Sequence, residues 1–254
     1  MLASIYDEGK VFMKEGALKA QVDEEVELIL GNSNSNFSGV TSTMLQVSSL
    51  QKSMMNLRIM GKHHLDDPSL YISFFQTARL CRTPLQNGQS RLFHARRVDE
   101  MIQALVLKYI FGAKFKIIFS SAAQRRRSKT TIWMTRKMDA VVAMCCASAR
   151  YLEKPPSKIV YHGVREDIYH PAKDKNALWQ TLGYPGKVGI GILGRVRKQK
   201  GVHLFVDACI EVFKSNPDYT AIIVGLVATS HKGFVAQLTE KINKAGLTDR
   251  IVFT

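Results

Sequence analysis

The chain has 254 residues, 46% hydrophobic and 22% charged, the balance of a globular protein with enough length for one large domain or parts of two. Its longest apolar runs, Ala140–Cys146 and Ala221–Ala228, fall short of the about 20 residues a membrane-spanning helix needs. Thirty-six Lys and Arg against 21 Asp and Glu leave a net charge of +15, which calls for an anionic partner: a nucleic acid, a membrane surface or a charged substrate.

Residues 1–24 are polar and weakly patterned and read as an N-terminal extension. They lack a basic segment followed by an apolar one, so no secretory signal is expected and the protein is placed in the cytoplasm. Val26–Leu30 predicts a buried strand, and Gly31–Gly39 a turn-rich loop. A helix is expected to begin near Thr41–Thr43, whose hydroxyls suit an N-cap. Between Arg58 and Asn87 the pattern is irregular and assigns no element. Arg91–His94 reads as a strand and Val98–Gly112 as a helix, with Met101, Ile102, Leu105, Tyr109 and Ile110 on its inner face.

Lys116–Phe119 predicts the next strand, and Thr130–Met138 a short helix with Trp133 and Met134 buried. Asp139–Met144 and Lys158–Tyr161 read as strands around a helical turn at Ser148–Glu153. Residues 25–165 thus form a first domain, and 166–186, with Pro171 and Gly183–Gly186, a linker. A second alternation runs from 187 to 254: strand Val188–Leu193, helix Val202–Lys214, strand Thr220–Val224, helix His231–Ala245 and strand Arg250–Phe253. In the helix Val202–Lys214 the expected core stripe is Leu204, Phe205, Ala208, Cys209, Val212 and Phe213. Alternating strands and helices imply an α/β protein with a doubly wound parallel sheet in each half.

Ligands of such sheets bind beyond the carboxyl ends of the strands, where helix N-termini point. In the second half that place is Gly194–Gly201. Gly189, Gly191 and Gly194 leave the backbone open to close approach, and the following helix start favours a phosphate. Arg195 and Lys200 add cations where a leaving diphosphate would develop charge. Close helix packing would also account for the glycines; the Walker loop is absent, and the G-x-G-x-x-G spacing of Gly189, Gly191 and Gly194 falls within the expected strand rather than after it, so the dinucleotide fingerprint is not met in context. The four cysteines form no C-x-x-C pair, and neither H-E-x-x-H nor D-x-D occurs, so no metal is expected. The basic clusters Arg96-Arg97, Arg125–Arg127 and Arg195–Lys200 lack interleaved aromatics, and no nucleic-acid-binding signature accompanies them.

Gly194-Arg195 with Lys200-Gly201 resembles the G-R-x…K-G signature of the family 4 retaining glycosyltransferases, which have the GT-B fold of two Rossmann-like domains. Four other segments match that family in order: Ser38–Thr41, Phe93–Arg96, Tyr161–Pro171 and Ala245–Phe253. Ser38–Thr43 (SGVTST), Phe93–Glu100 (FHARRVDE), Ser120–Arg126 (SSAAQRR) and Gly194–Gly201 (GRVRKQKG) are most similar to the lipopolysaccharide-core mannosyltransferases of Gram-negative bacteria.

The resemblance implies transfer of a hexose, mannose from GDP-mannose, to lipopolysaccharide core at the inner face of the cytoplasmic membrane. The nucleotide sugar is a substrate, and no cofactor or nucleic-acid partner is implied. Arg195, Lys200, Gly194 and Gly39 would hold the donor diphosphate, Gly39 from the first domain. His94, Ser120, Ser121 and Arg125 would lie on the acceptor side, His94 being the one candidate for a catalytic group. Ser120-Ser121 stands where many relatives carry a histidine, and Arg165 where they carry an aspartate. The family's E-x7-E donor segment and its crossing C-terminal helix do not occur by Thr254, so the second domain reads as incomplete. A catalytically inactive fragment of such an enzyme is therefore the alternative, with an exposed edge expected at Arg250–Phe253.

Overall fold

The structure, a computed structural model, describes residues 25–254, so the expected extension 1–24 lies outside the described residues. The chain divides into two compact units with the boundary between Gly163 and Val164.

The first unit is a seven-stranded parallel sheet in the order β3-β2-β1-β4-β5-β6-β7. Its strands are β1 (Leu28–Gly31), β2 (Leu57–Met60), β3 (Tyr71–Ile72), β4 (Arg91–Ala95), β5 (Phe115–Ser121), β6 (Ala140–Ala143) and β7 (Lys158–Ile159). The helices between them are α1 (Gly39–Gln51), α2 (Phe74–Leu80), α3 (Val98–Tyr109), α4 (Lys129–Arg136) and the single turn α5 (Cys146–Ala149). The register pairs Leu28 with both Leu57 and Leu92, and Phe93 with Ile117.

Right-handed crossovers run in opposite directions from β1 and β4, which places their helices on opposite faces. On one face Phe93, Ile117 and Phe119 pack with Met101, Ala104, Leu105 and Leu107 of α3 and with Met134 of α4. On the other, Leu28, Leu30, Leu57 and Ile59 pack with Met44 of α1. The strand order reverses between β1 and β4, and the loops after their carboxyl ends form the crevice that positions the site.

Several local expectations need correction. Helix α1 begins at Gly39 with Ser38 as its cap, whose hydroxyl accepts from the Thr41 N–H, while Thr41 itself is buried. The unassigned segment holds β2, β3 and α2, elements too short for periodicity to register. Ile102, Tyr109 and Ile110 are exposed, because the inner face of α3 is Met101, Ala104, Leu105 and Leu107. Trp133 is 56% exposed and lies near Lys137, leaving Met134 as the buried residue of α4. Strand β5 runs on through Ser120 and Ser121, two residues past its expected end.

The second unit opens with helix α6 (Lys175–Leu182) inside the expected linker; Asp174 caps it, and Gly183 ends it at φ +68°. A three-stranded parallel sheet follows in the order β10-β9-β8, from β8 (Val188–Leu193), β9 (Tyr219–Val224) and β10 (Ile251–Phe253). Helices α7 (Val202–Phe213) and α8 (Lys232–Lys244) connect them. The core stripe of α7 is Val202, Val206, Cys209 and Phe213, whereas Leu204 and Val212 face outward. The bare strand of this sheet is β8, with five of its six residues exposed, while Ile251 of β10 is buried.

Arg250 fastens β10: it donates to the carbonyls of Phe213, Asn216 and Tyr219 and stacks 5.0 Å from the Phe213 ring centroid. Both units close the end of their first strand alike. Asn32 donates its N–H to Met60 O (3.0 Å), and Gly194 to Val224 O (2.9 Å). A glycine then passes over that residue's carbonyl, Gly61 in one unit and Gly225 in the other.

Candidate functional site

In the first unit His94 and Ser120 stand on neighbouring strands β4 and β5, two residues from register, and His94 Nε2 meets Ser120 Oγ at 2.8 Å. Burial, with the Arg96 charge adding to it, lowers the His94 pKa to about 3, so the ring is neutral at physiological pH. Both residues line a mainly apolar cavity of about 410 Å³ with Arg96 and the sheet-face residues Leu92, Ile118 and Val142. Ser121, the next residue of β5, points to the opposite face, is fully buried, and accepts from Arg127 Nη2. The adjacent serines therefore serve two different environments, which sequence adjacency conceals.

The loops after β4 and β5 gather arginines. Glu100, buried at the start of α3, accepts from the backbone N–H groups of Arg96 (2.7 Å) and Arg97 (3.1 Å). It also lies 3.6 Å from the Arg97 guanidinium. Burial raises the Glu100 pKa, while these hydrogen bonds and the Arg96 and Arg97 charges pull the other way. Arg97 Nη2 reaches across to α1 and donates to Ser38 Oγ (2.8 Å) and Thr41 Oγ1 (2.7 Å), tying the Gly39 turn to the start of α3. Gly39 is the first residue of α1 and has open space at its Cβ position; no acidic residue occupies the first turn.

Arg125 is exposed and, with Arg96, Arg97, Arg126 and Arg127, lines a second cavity of about 480 Å³. Arg127 lies 5.2 Å from the Phe119 ring centroid. This gathering was missed in the sequence because its members come from segments about 30 positions apart along the chain, joined only by parallel pairing of β4 and β5.

In the second unit the turn after β8 is held at both ends by buried valines, Val196 and Val202. Gly194 (φ +136°) opens it, and the Val196 N–H donates to Leu226 O at 3.1 Å. A 3₁₀ turn over Lys198–Lys200 leads to Gly201, which at φ +74° starts α7 without a side-chain cap. Arg195 and Lys200 are both exposed on this turn, and the first turn of α7 has no acidic residue. Its uncapped N–H groups and positive dipole end suit an anion. Gly189 has a different role from the one expected: a Cβ there would stand 2.3 Å from the Trp179 ring of α6. Its missing side chain is filled by packing, whereas the space at Gly194 is open.

Among the described residues no group of three or more His, Cys, Asp or Glu is placed to hold a metal ion, and no helix is long and apolar enough to cross a membrane.

No family model matches the sequence. Over 231 residues the chain is 36% identical to the lipopolysaccharide core biosynthesis mannosyltransferase LpsB of Rhizobium meliloti, covering 90% of this chain and 65% of that protein. The corresponding mannosyltransferase LpcC of Rhizobium leguminosarum bv. viciae is also 36% identical over 231 residues, with 64% of its length covered. Among solved structures, Anabaena HepE in complex with UDP-glucose superposes with a TM-score of 0.68 at 16% identity, over 89% of this chain and 68% of that one. A glycosyltransferase from Rickettsia africae gives 0.67 at 17% identity, over 90% and 68%. In sequence the chain is thus similar to lipopolysaccharide-core mannosyltransferases, of which it spans just under two thirds, and its fold is that of the GT-B glycosyltransferases.

Proposed function

We propose that this chain supplies the acceptor-side domain and the donor-diphosphate grip of a retaining hexosyltransferase that moves mannose from GDP-mannose to lipopolysaccharide core. The observation that carries the reading is the turn Gly194–Gly201, which presents Arg195, Lys200 and the uncapped start of α7 on one strand end. The 36% identity to two mannosyltransferases over 231 residues supports the choice of sugar and acceptor.

In this reaction the bond from the anomeric carbon to the β-phosphate oxygen breaks as the acceptor hydroxyl attacks from the same face. The acceptor proton passes to the departing diphosphate. Charge grows on that diphosphate in the transition state, and fixed cations stabilise it there more than in the ground state. Arg195 and Lys200 fill this role in our reading, with no metal or other cofactor. Gly194 gives the phosphates room at this turn. His94, neutral and bonded to Ser120, orients the acceptor side and carries no charge into the reaction.

Labelled GDP-mannose and truncated core lipid test the reading directly, with other nucleotide sugars as controls. Transfer is expected from GDP-mannose, and Lys200→Ala is expected to lower kcat/KM by about 100-fold or more. Wild-type turnover in that variant would remove Lys200 from the donor grip.

A further inference from the structure

We propose that the arginine-lined cavity between the β4–α3 and β5–α4 loops is an anion pocket that takes a phosphate or carboxylate group of the sugar acceptor. The inference rests on the transferase reading above and adds to it the feature by which the acceptor is recognised.

Five arginines, Arg96, Arg97, Arg125, Arg126 and Arg127, line about 480 Å³, a space on the scale of a sugar unit with its charged substituent. Among the described residues, Arg97 alone of the five has a carboxylate ion-pair partner, Glu100. The Oε2 of Glu100 is already engaged by the backbone N–H groups of Arg96 and Arg97. Asp99 accepts from Ser33 at 2.5 Å. Among the described residues, no carboxylate forms an ion pair with Arg96, Arg125, Arg126 or Arg127. Two buried guanidinium nitrogens, Arg96 Nη1 and Arg127 Nε, have no hydrogen-bond partner.

Buried donors are ordinarily satisfied, and a gathering of like charges is costly unless an anion joins it. Burial lowers the pKa of Arg96 to about 10, with the Glu100 charge opposing and the Arg97 charge adding to it, and burial with the Arg125 charge lowers that of Arg127. Guanidinium groups match the planar, two-oxygen edge of phosphate and carboxylate. The concave shape favours a discrete group on a saccharide over a lipid headgroup layer. A flat bilayer would meet the exposed Arg125 and Arg126 and leave the buried Arg96 Nη1 unsatisfied.

Calorimetric titration with mannose 6-phosphate, galacturonate, mannose and GDP separates the possibilities. Both charged sugars are expected to bind and neutral mannose to fail. The exposed pair Arg125→Ala/Arg126→Ala, and separately Arg96→Met, should each weaken the charged sugars about tenfold or more while GDP affinity stays unchanged. Charged sugars that bind no better than mannose would overturn the proposal. So would a parallel loss of GDP affinity, which would assign these arginines to the donor. An effect confined to vesicles of anionic phospholipid would assign them to the membrane and equally overturn it. Failure of the transferase reading shows elsewhere, as absent mannose transfer and absent GDP binding in the wild-type protein.

Discussion

His94 shows how one residue's setting decides its chemistry. A histidine that titrates near 6.5 when unfolded and near 3 when folded stays neutral in the native state across that range. Its folded pKa is depressed, so the unfolded chain binds the extra proton first as pH falls. The native state therefore keeps its full advantage above pH 6.5 and loses it progressively toward pH 3. At pH 5 the loss from this group is on the order of 2 kcal/mol. Glu100, with a raised pKa, works in the opposite sense, so the variant comparison must isolate the histidine. His94→Gln keeps a group able to bond Ser120 and removes the titration. Denaturant midpoints measured from pH 7.5 to 4.5 should fall less steeply in the variant than in the wild type. Identical slopes would mean that His94 is more solvated than its burial indicates.

At the scale of elements, the turn geometry gives the sharpest expectation. Gly225 has φ +154°, and a Cβ on it would lie 2.0 Å from the Gly194 carbonyl oxygen, a backbone atom that cannot step aside. Gly225→Ala should cost about 3 kcal/mol and displace Gly194 and Arg195 with it. Thermal unfolding reads the first effect; weakened GDP binding at permissive temperature reads the second. Gly61→Ala, with the same 2.0 Å conflict at Asn32, should destabilise comparably yet leave GDP affinity intact in the folded fraction.

The same elements show what sequence could and could not reveal. Strand–helix alternation and the Gly194–Gly201 turn were legible, because buried strands and helix starts carry local signals. Helix faces were less so. Leu204 and Val212 of α7 and Trp133 of α4 look like core residues in a periodic pattern but lie outward, because the neighbouring sheet decides which arc is covered. Gly189 looked like ligand space until Trp179, ten residues earlier, filled it. The arginine cavity needed the β4–β5 pairing before its parts became one site.

Across the whole molecule, an excess of +15 predicts attraction to anionic surfaces, a membrane among them. Clustered cations near an anionic bilayer gain about 1 kcal/mol each at the surface, and that gain decays within a Debye length of about 10 Å at 0.1 M salt. Binding of this kind is broad, reversible and carried by many side chains, unlike the discrete arginine cavity. The protein should therefore sediment with vesicles containing anionic phospholipid at low ionic strength and release at high salt. Neutral phosphatidylcholine vesicles should not retain it under either condition. The Arg125→Ala/Arg126→Ala variant should lose only part of this binding, in proportion to the two charges removed from 36. Salt-insensitive retention on neutral vesicles would instead point to apolar insertion. The exposed Leu193 and Leu226 beside the Gly194–Gly201 turn would then be the first residues to replace.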